Sequence, residues 1–197
     1  LVTSIGATLP ALSTLDVACP ITTRDAVDGA RSALRAARKS GHKRLQITLP
    51  VLMPGATLDD AIGPDGSALY PGGGAQSHRL GLQPIAQELF KGYDPIFHGK
   101  IDVGMGVWSL AGGEITAVSS VADMTFETFA KLCEGEFGEA PTRSDHTLLL
   151  LNPRLTSAAN IGQPWQFGLR KRAVELVDET DWLCAFCCRS VGASDGS

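Results

Sequence analysis

The chain has 197 residues, 44% of them hydrophobic, with 17 Lys+Arg set against 21 Asp+Glu. That length suits one domain with a substantial core, and the composition excludes a disordered chain. A formal charge of −4 gives no basic field for nucleic acid, and no window approaches the roughly 20 apolar residues of a membrane span.

Residues Leu1 to Cys19 are apolar but broken by Pro10 and Asp16. They read as an extended arm, 1–21, ahead of a single α/β domain over 22–197. The start at Leu1 rather than Met is expected to mark either a removed targeting segment or a sequence that begins late. The domain opens with Thr22-Thr23-Arg24-Asp25, a helix start with Thr22 as cap and Asp25 three residues on. Ala26, Val27, Ala30, Ala33, Leu34 and Ala37 form one apolar stripe. Acidic residues at the start and Arg35, Arg38 and Lys39 at the end suit the helix dipole, and Gly41 supplies the stop. The basic face opposite the stripe reads as solvated.

Lys43 to Leu49 alternates apolar and polar residues, which predicts a strand ended by Pro50. Val51 to Gly74 reads as a long surface loop. The stretch Tyr70-Pro71-Gly72-Gly73-Gly74-Ala75-Gln76-Ser77-His78-Arg79 then leads to helical spacing at Leu82, Ile85, Ala86, Leu89 and Phe90. Three glycines ahead of a helix raise a phosphate loop. The Lys-Ser/Thr of a P-loop is absent, and so is the G-x-G-x-x-G directly after a strand. Pro84 is expected to delay the regular helix and so move its mouth away from the glycines. The stretch therefore reads as a helix entry, with Arg79 as a candidate anion contact.

Ile101, Val103, Met105 and Val107 alternate, as do Ile115, Ala117 and Ser119, with Ala111-Gly112-Gly113 between them. This predicts two strands joined by a glycine turn. Asp123 and Thr125 offer caps for a helix carrying Phe126, Phe129, Ala130 and Cys133, followed by a polar loop from Glu134 to Ser144. Thr147 to Leu151 is a continuous apolar run, the pattern of a central strand covered on both faces. Asn152-Pro153-Arg154 stands at its exit, where open α/β sheets collect ligands; Asn152 also suits a simple strand-exit cap. Pro164 fits the first turn of a helix whose buried stripe is Trp165, Leu169, Ala173, Leu176 and Val177. Trp182 to Cys188 reads as a last strand. Strands alternating with helices predict an α/β fold, a three-layer sandwich with a mostly parallel, Rossmann-like sheet.

No catalytic set emerges. Asp145-His146 lies near Ser144, but a G-x-S-x-G elbow is absent. Cys184, Cys187 and Cys188 raise zinc, yet no second ligand pair accompanies them, and they read as buried small hydrophobes. An odd five cysteines form no secreted disulfide framework and fit a reducing compartment. The residues assign no catalytic, cofactor-binding or metal position. The candidate ligand or partner contacts are Arg79, Asn152 and Arg154.

Three segments in this order carry a resemblance: Gly41-His42-Lys43-Arg44-Leu45-Gln46-Ile47-Thr48-Leu49-Pro50, then Pro71 to Arg79, then Leu148-Leu149-Leu150-Leu151-Asn152-Pro153-Arg154-Leu155. Over about residues 22–191 the chain resembles the domain of unknown function 1995 family of cyanobacteria, algae and plant chloroplasts. The resemblance implies a chloroplast protein, in the stroma or on the stromal face of the thylakoid membrane. Some plant relatives resemble photosystem II assembly factors of the low-photosystem-II-accumulation type. It therefore implies a non-catalytic protein without cofactor, partnered with a photosynthetic membrane-protein complex through its photosystem subunits, as assembly factor or peripheral subunit. The family's Pro-, Gly- and Trp-rich C-terminal segment is not found before Ser197. Contacts to the partner are expected from Leu9, Leu12 and Leu15 in the arm and from Leu58, Ile62 and Leu69 in the long loop. The alternative is an enzyme or sensor that binds a small phosphorylated ligand with Arg79, Asn152 and Arg154.

Overall fold

The computed structural model describes residues 20–52, 55–60, 62, 74–155, 157–163 and 165–188, with backbone only for 74–79. The arm Leu1 to Cys19 and the loop residue Leu69 lie outside the described residues.

Helix α1 spans Thr23–Lys39 and begins as its sequence dictates. Thr22 Oγ1 accepts from the Asp25 amide at 3.1 Å, and the Asp25 carboxylate accepts from the Thr22 amide at 2.9 Å, closing a reciprocal cap. Those bonds also hold the Asp25 carboxyl below its ordinary value. The chain turns at Ser40 and Gly41, whose φ of 83° favours glycine, and enters β1, Arg44–Thr48.

Helix α2 spans Gly74–Leu89 with Pro84 inside it. The expectation that Pro84 delays the helix is therefore corrected: Gly74 is its first residue. A proline within a helix costs one intrahelical hydrogen bond. Here burial outweighs that cost, since Leu82, Ile85, Ala86, Leu89 and Phe90 are all in the core. Gly81 lets the helix lie against the exit of β1, where the Leu52 amide donates to the Gly81 carbonyl at 3.3 Å.

Strands β2 (Ile96–Asp102) and β3 (Met105–Leu110) form an antiparallel pair. The alternation read as one strand through Ile101, Val103, Met105 and Val107 is thus two strands. They fold back at Val103 and Gly104, and Gly104 has a φ of 77°. A 3-10 turn at Ala111–Gly113 joins β3 to β4, Ile115–Ser119, in the antiparallel pairing expected. Helix α3, Phe126–Glu134, buries Phe126, Phe129, Ala130, Leu132 and Cys133. Strand β5, Thr147–Leu151, is buried at every residue. Helix α4, Phe167–Ala173, runs into a π turn at Val174–Asp178. Strand β6, Leu183–Cys187, closes the order.

The sheet has six strands in the order β2-β3-β4-β5-β1-β6. The pairs β4–β5, β5–β1 and β1–β6 are parallel, and β2–β3 and β3–β4 antiparallel. It is an α/β sheet, mostly parallel. Two cores draw on alternate residues of the same strand. Leu149 and Leu151 pack with α1 and α2, while Leu148 and Leu150 pack with α3, Ala173 of α4 and Ile161. That division explains why β5 carries no polar residue after Thr147.

One further expectation changes. Cys184 and Cys187 are exposed rather than buried, because β6 is an edge strand with a bulge against β1 between Gln46 and Ile47. Cys133 is buried, and burial pushes its thiol up to about 12.

Gly81 yields a test whose sign opposes helix propensity. Alanine in an open helix is favoured over glycine by about 1 kcal/mol. At position 81 a Cβ would stand 2.3 Å from the Leu52 carbonyl oxygen, which is backbone and cannot swing away. Gly81→Ala is expected to destabilise the fold by about 1–3 kcal/mol in urea unfolding.

Candidate functional site

The carboxyl end of the parallel strands is the first place where the fold gathers singled-out residues. Strands β4 and β5 end in matching kinks: Ser120 has φ 58° and Asn152 φ 50°. Asparagine tolerates this left-handed region better than most residues. Pairing resumes beyond the kink, with the Arg154 amide donating to the Val121 carbonyl at 2.7 Å and a parallel bridge between Ala122 and Arg154.

Asn152 is buried and fully engaged. Its Oδ1 accepts from the Leu49 amide at 2.8 Å, and its Nδ2 donates to the Leu49 carbonyl at 2.7 Å. The side chain behaves as an extra peptide group in the ladder and ties the exit of β5 to the exit of β1. Its own backbone amide donates to the Ile47 carbonyl at 2.8 Å. Arg154 is exposed next to this clip. Arg79 lies in α2, with its side chain outside the described residues.

His146, weighed for hydrolysis, is buried at the amino end of β5. Its Nε2 lies 2.9 Å from Thr116 Oγ1. Burial lowers its pKa from the ordinary 6.5, and the nearby Arg143 and Arg44 guanidinium groups push it the same way. The adjacent Asp145 carboxylate pairs with Arg143 at 3.4 Å instead.

The larger feature is the face between α3 and α4. An open groove of about 590 Å³ is lined by Ala130 and Leu169, by the aromatic rings of Trp165 and Phe167, and by charged groups of both helices. Trp165 is 71% exposed and Phe167 78%. Trp165 was expected in the buried stripe, and the local turn explains the reversal. Gln166 Oε1 accepts from the Gln163 amide at 2.7 Å, while the Gln166 amide donates to the Gln163 carbonyl at 2.9 Å. This closed turn holds Trp165 ahead of the helix, which starts only at Phe167. Of the expected stripe, Ala173 is buried, and Leu169, Leu176 and Val177 pack partly against the core.

Across the groove Arg172 of α4 pairs with Glu134 of α3 at 2.8 Å, and within α3 Lys131 pairs with Glu127 at 3.1 Å. Lys131 is raised above its ordinary value first by its bond to Glu127. Apolar rings bordered by charged pairs are the usual make-up of a protein-binding surface. Phe137, in the loop after α3, is also exposed. The signal in the sequence was the pair Trp165 and Phe167, two positions apart, which cannot share one face of a helix. By contrast, the loop residues Leu58 and Ile62, expected to meet a partner, pack against the core formed by α1 and α2. No helix among the described residues is long and apolar enough to cross a membrane, and no cluster of three metal-binding side chains occurs among them.

Compared with known families, with curated proteins and with solved structures, the chain matches none.

Two outcomes follow from this geometry. Asn152→Ala strands the buried Leu49 amide and carbonyl, so guanidinium unfolding should show a loss of about 2 kcal/mol or more. His146 has a folded-state pKa below its unfolded one, so the unfolded chain binds the extra proton. Its contribution is complete above pH 6.5 and is lost as the pH falls through that value. Urea midpoints measured from pH 7.5 down to 5.5, bracketing the ordinary histidine value of about 6.5, should therefore fall more steeply for the wild type than for His146→Gln.

Proposed function

We propose that the chain is a non-catalytic docking domain that binds a protein partner through the α3–α4 face. The observation that carries this reading is the exposure of Trp165 and Phe167 beside a charge-bordered groove. Burying an aromatic ring of that size against a partner is among the largest single contributions an interface residue makes. The rings stand on a braced platform: the Gln166 turn fixes one end and the Arg172–Glu134 pair holds α4 to α3. Pre-ordered anchors lose little entropy on association.

The resemblance in the strand-Asn-Pro-Arg segment supplies the setting for this reading: a photosynthetic membrane-protein complex of the chloroplast, met as assembly factor or peripheral subunit from the stroma or stromal face. The arrangement of two cores on alternate residues of β5 supports a three-layer, Rossmann-like sandwich as the scaffold. In this reading the scaffold carries no chemistry. Asn152 is committed to Leu49, and the buried Cys133 thiol is held protonated.

The test compares wild type with a Trp165→Ala, Phe167→Ala double variant, each added to solubilised thylakoid complexes and separated by native electrophoresis. Both side chains are exposed, so the variant should keep its unfolding free energy within about 0.5 kcal/mol. Co-migration with the complex should fall by roughly tenfold or more. Equal co-migration of the two proteins would remove the reading.

A further inference from the structure

The cations of this acidic chain are unevenly placed. At the amino end of the parallel strands an open basin of about 550 Å³ is lined by Arg31, Arg35, Arg38, Lys39, Lys43 and Lys91, together with Gly92, Tyr93 and Thr147. Four separate elements supply it. The last turns of α1 give the arginines and Lys39, the entry to β1 gives Lys43, the turn after α2 gives Lys91 to Tyr93, and β5 gives Thr147.

Helix-dipole complementarity accounts for cations in the last turn of α1, which covers Arg38 and Lys39. It does not account for Lys43 or Lys91, which come from other elements. Nor do carboxylates neutralise the group. Arg31 meets Asp28 at 2.8 Å and Glu88 at 3.3 Å, Lys91 meets the same Glu88 at 3.7 Å, and Arg38 meets Glu114 at 2.8 Å. Among the described residues Arg35 reaches only Ser32 Oγ at 3.4 Å, and Lys43 only the Asp145 carbonyl at 3.1 Å. Among the described residues Arg35, Lys39 and Lys43 form no ion pair, so six cations face three carboxylates.

A second observation is independent of charge. Three buried side-chain polar atoms lack a protein hydrogen-bond partner among the described residues: Thr23 Oγ1, Arg31 Nε and Tyr93 Oη. Two of the three belong to residues that line this basin. Buried polar groups are nearly always paired, so a donor and a hydroxyl left over at one cationic hollow point to an acceptor-rich occupant.

We propose that this basin binds a small anion carrying more than one phosphate group, held by Arg31, Arg35, Lys39, Lys43, Lys91 and Tyr93. Cations presented from α1, the entry to β1 and the α2–β2 turn across a basin of this size suit several phosphates on a compact frame better than one. Guanidinium forks suit phosphate oxygens in pairs, and the lysines add point charges. The volume falls in the range of small-molecule sites. A concave basin, rather than a basic stripe, favours a compact anion over a nucleic-acid backbone. The site lies apart from the α3–α4 face, with no lining residue in common.

The phosphates can sit on a free metabolite or on a lipid headgroup, and the experiment separates these sources. Calorimetry with pyrophosphate and with inositol hexakisphosphate, in about 0.1 M salt, is run beside sedimentation with phosphatidylcholine vesicles containing a bisphosphorylated inositol lipid. Micromolar binding of a soluble probe without vesicle sedimentation assigns a free anion. Sedimentation with millimolar or weaker soluble binding assigns a headgroup. In either case an Arg35→Ala, Lys39→Ala double variant, altered only at exposed side chains, should weaken binding by roughly tenfold or more at an unchanged thermal midpoint. Tyr93→Phe should weaken it severalfold, which a diffuse basic surface would not show. The proposal is overturned if neither the soluble probes nor the vesicles bind, if either variant binds as the wild type does, or if a single-stranded oligonucleotide binds more tightly than all three.

Discussion

The parallel pair β1–β5 is fastened at both ends by side chains that bond to backbone. At the amino end the Arg44 guanidinium donates to the carbonyls of Thr142 at 2.5 Å, Arg143 at 3.2 Å and His146 at 2.8 Å. At the carboxyl end the Asn152 amide exchanges two bonds with Leu49. Between them Leu45 faces Leu149 and Ile47 faces Leu151 in register. A one-residue slip would exchange the two faces of β5. Because both faces are apolar, hydrophobic burial alone would resist such a slip weakly; the two polar clamps fix the register. Among the described residues Arg44 has no carboxylate partner. Burial lowers its pKa, and the carbonyl oxygens replace the water it gives up.

The helices follow from that pair. A strand apolar on both sides must be covered on both sides, and the connections supply the cover. The chain leaving β1 passes through α2 to β2 at one edge of the sheet, whereas the chain leaving β5 passes through α4 to β6 at the other. Residues of α2 pack with Leu149 and Leu151, and those of α4 with Leu148 and Leu150. The antiparallel strands β2 and β3 extend this frame and add the ring contact of Phe97 with Trp108 at 4.8 Å.

Local chemistry was legible in the sequence where it was self-contained. The Thr22–Asp25 cap, the stripe of α1, the hydrophobic faces of α3 and the buried run of β5 each depend on residues a few positions apart, and each formed as read. The readings that failed depended on distant partners. Pro84 breaks a helix by local rules, but the core under Leu82, Ile85 and Ala86 holds α2 together across it. The alternation from Ile101 to Val107 is compatible with one strand or with a tight hairpin, and pairing with β3 decides. Trp165 fits a helical stripe by spacing, yet the Gln163–Gln166 turn takes it out of the helix. The basic face of α1 was visible, but not that Lys43, Lys91 and Tyr93 would be folded against it from other elements.

In open α/β sheets the usual ligand crevice lies beyond the carboxyl ends of the strands, where neighbouring connections depart in opposite directions. Here that point is between β5 and β1, and Asn152 spans it. The segment leaving β1 is buried at Leu49, Pro50, Val51 and Leu52, so it packs down on the core rather than standing away as a cavity wall. Opening the crevice would mean breaking the Asn152–Leu49 bonds and exposing those four residues. Among the described residues the two largest hollows lie elsewhere: at the amino end, where the cations gather, and on the outer side of α3 and α4, where the aromatic rings stand. The α3–α4 face is made by helix flanks and turns, and the basin by α1, the turn after α2 and the entries to β1 and β5, so most of both surfaces can change in sequence while β1 and β5 keep their register.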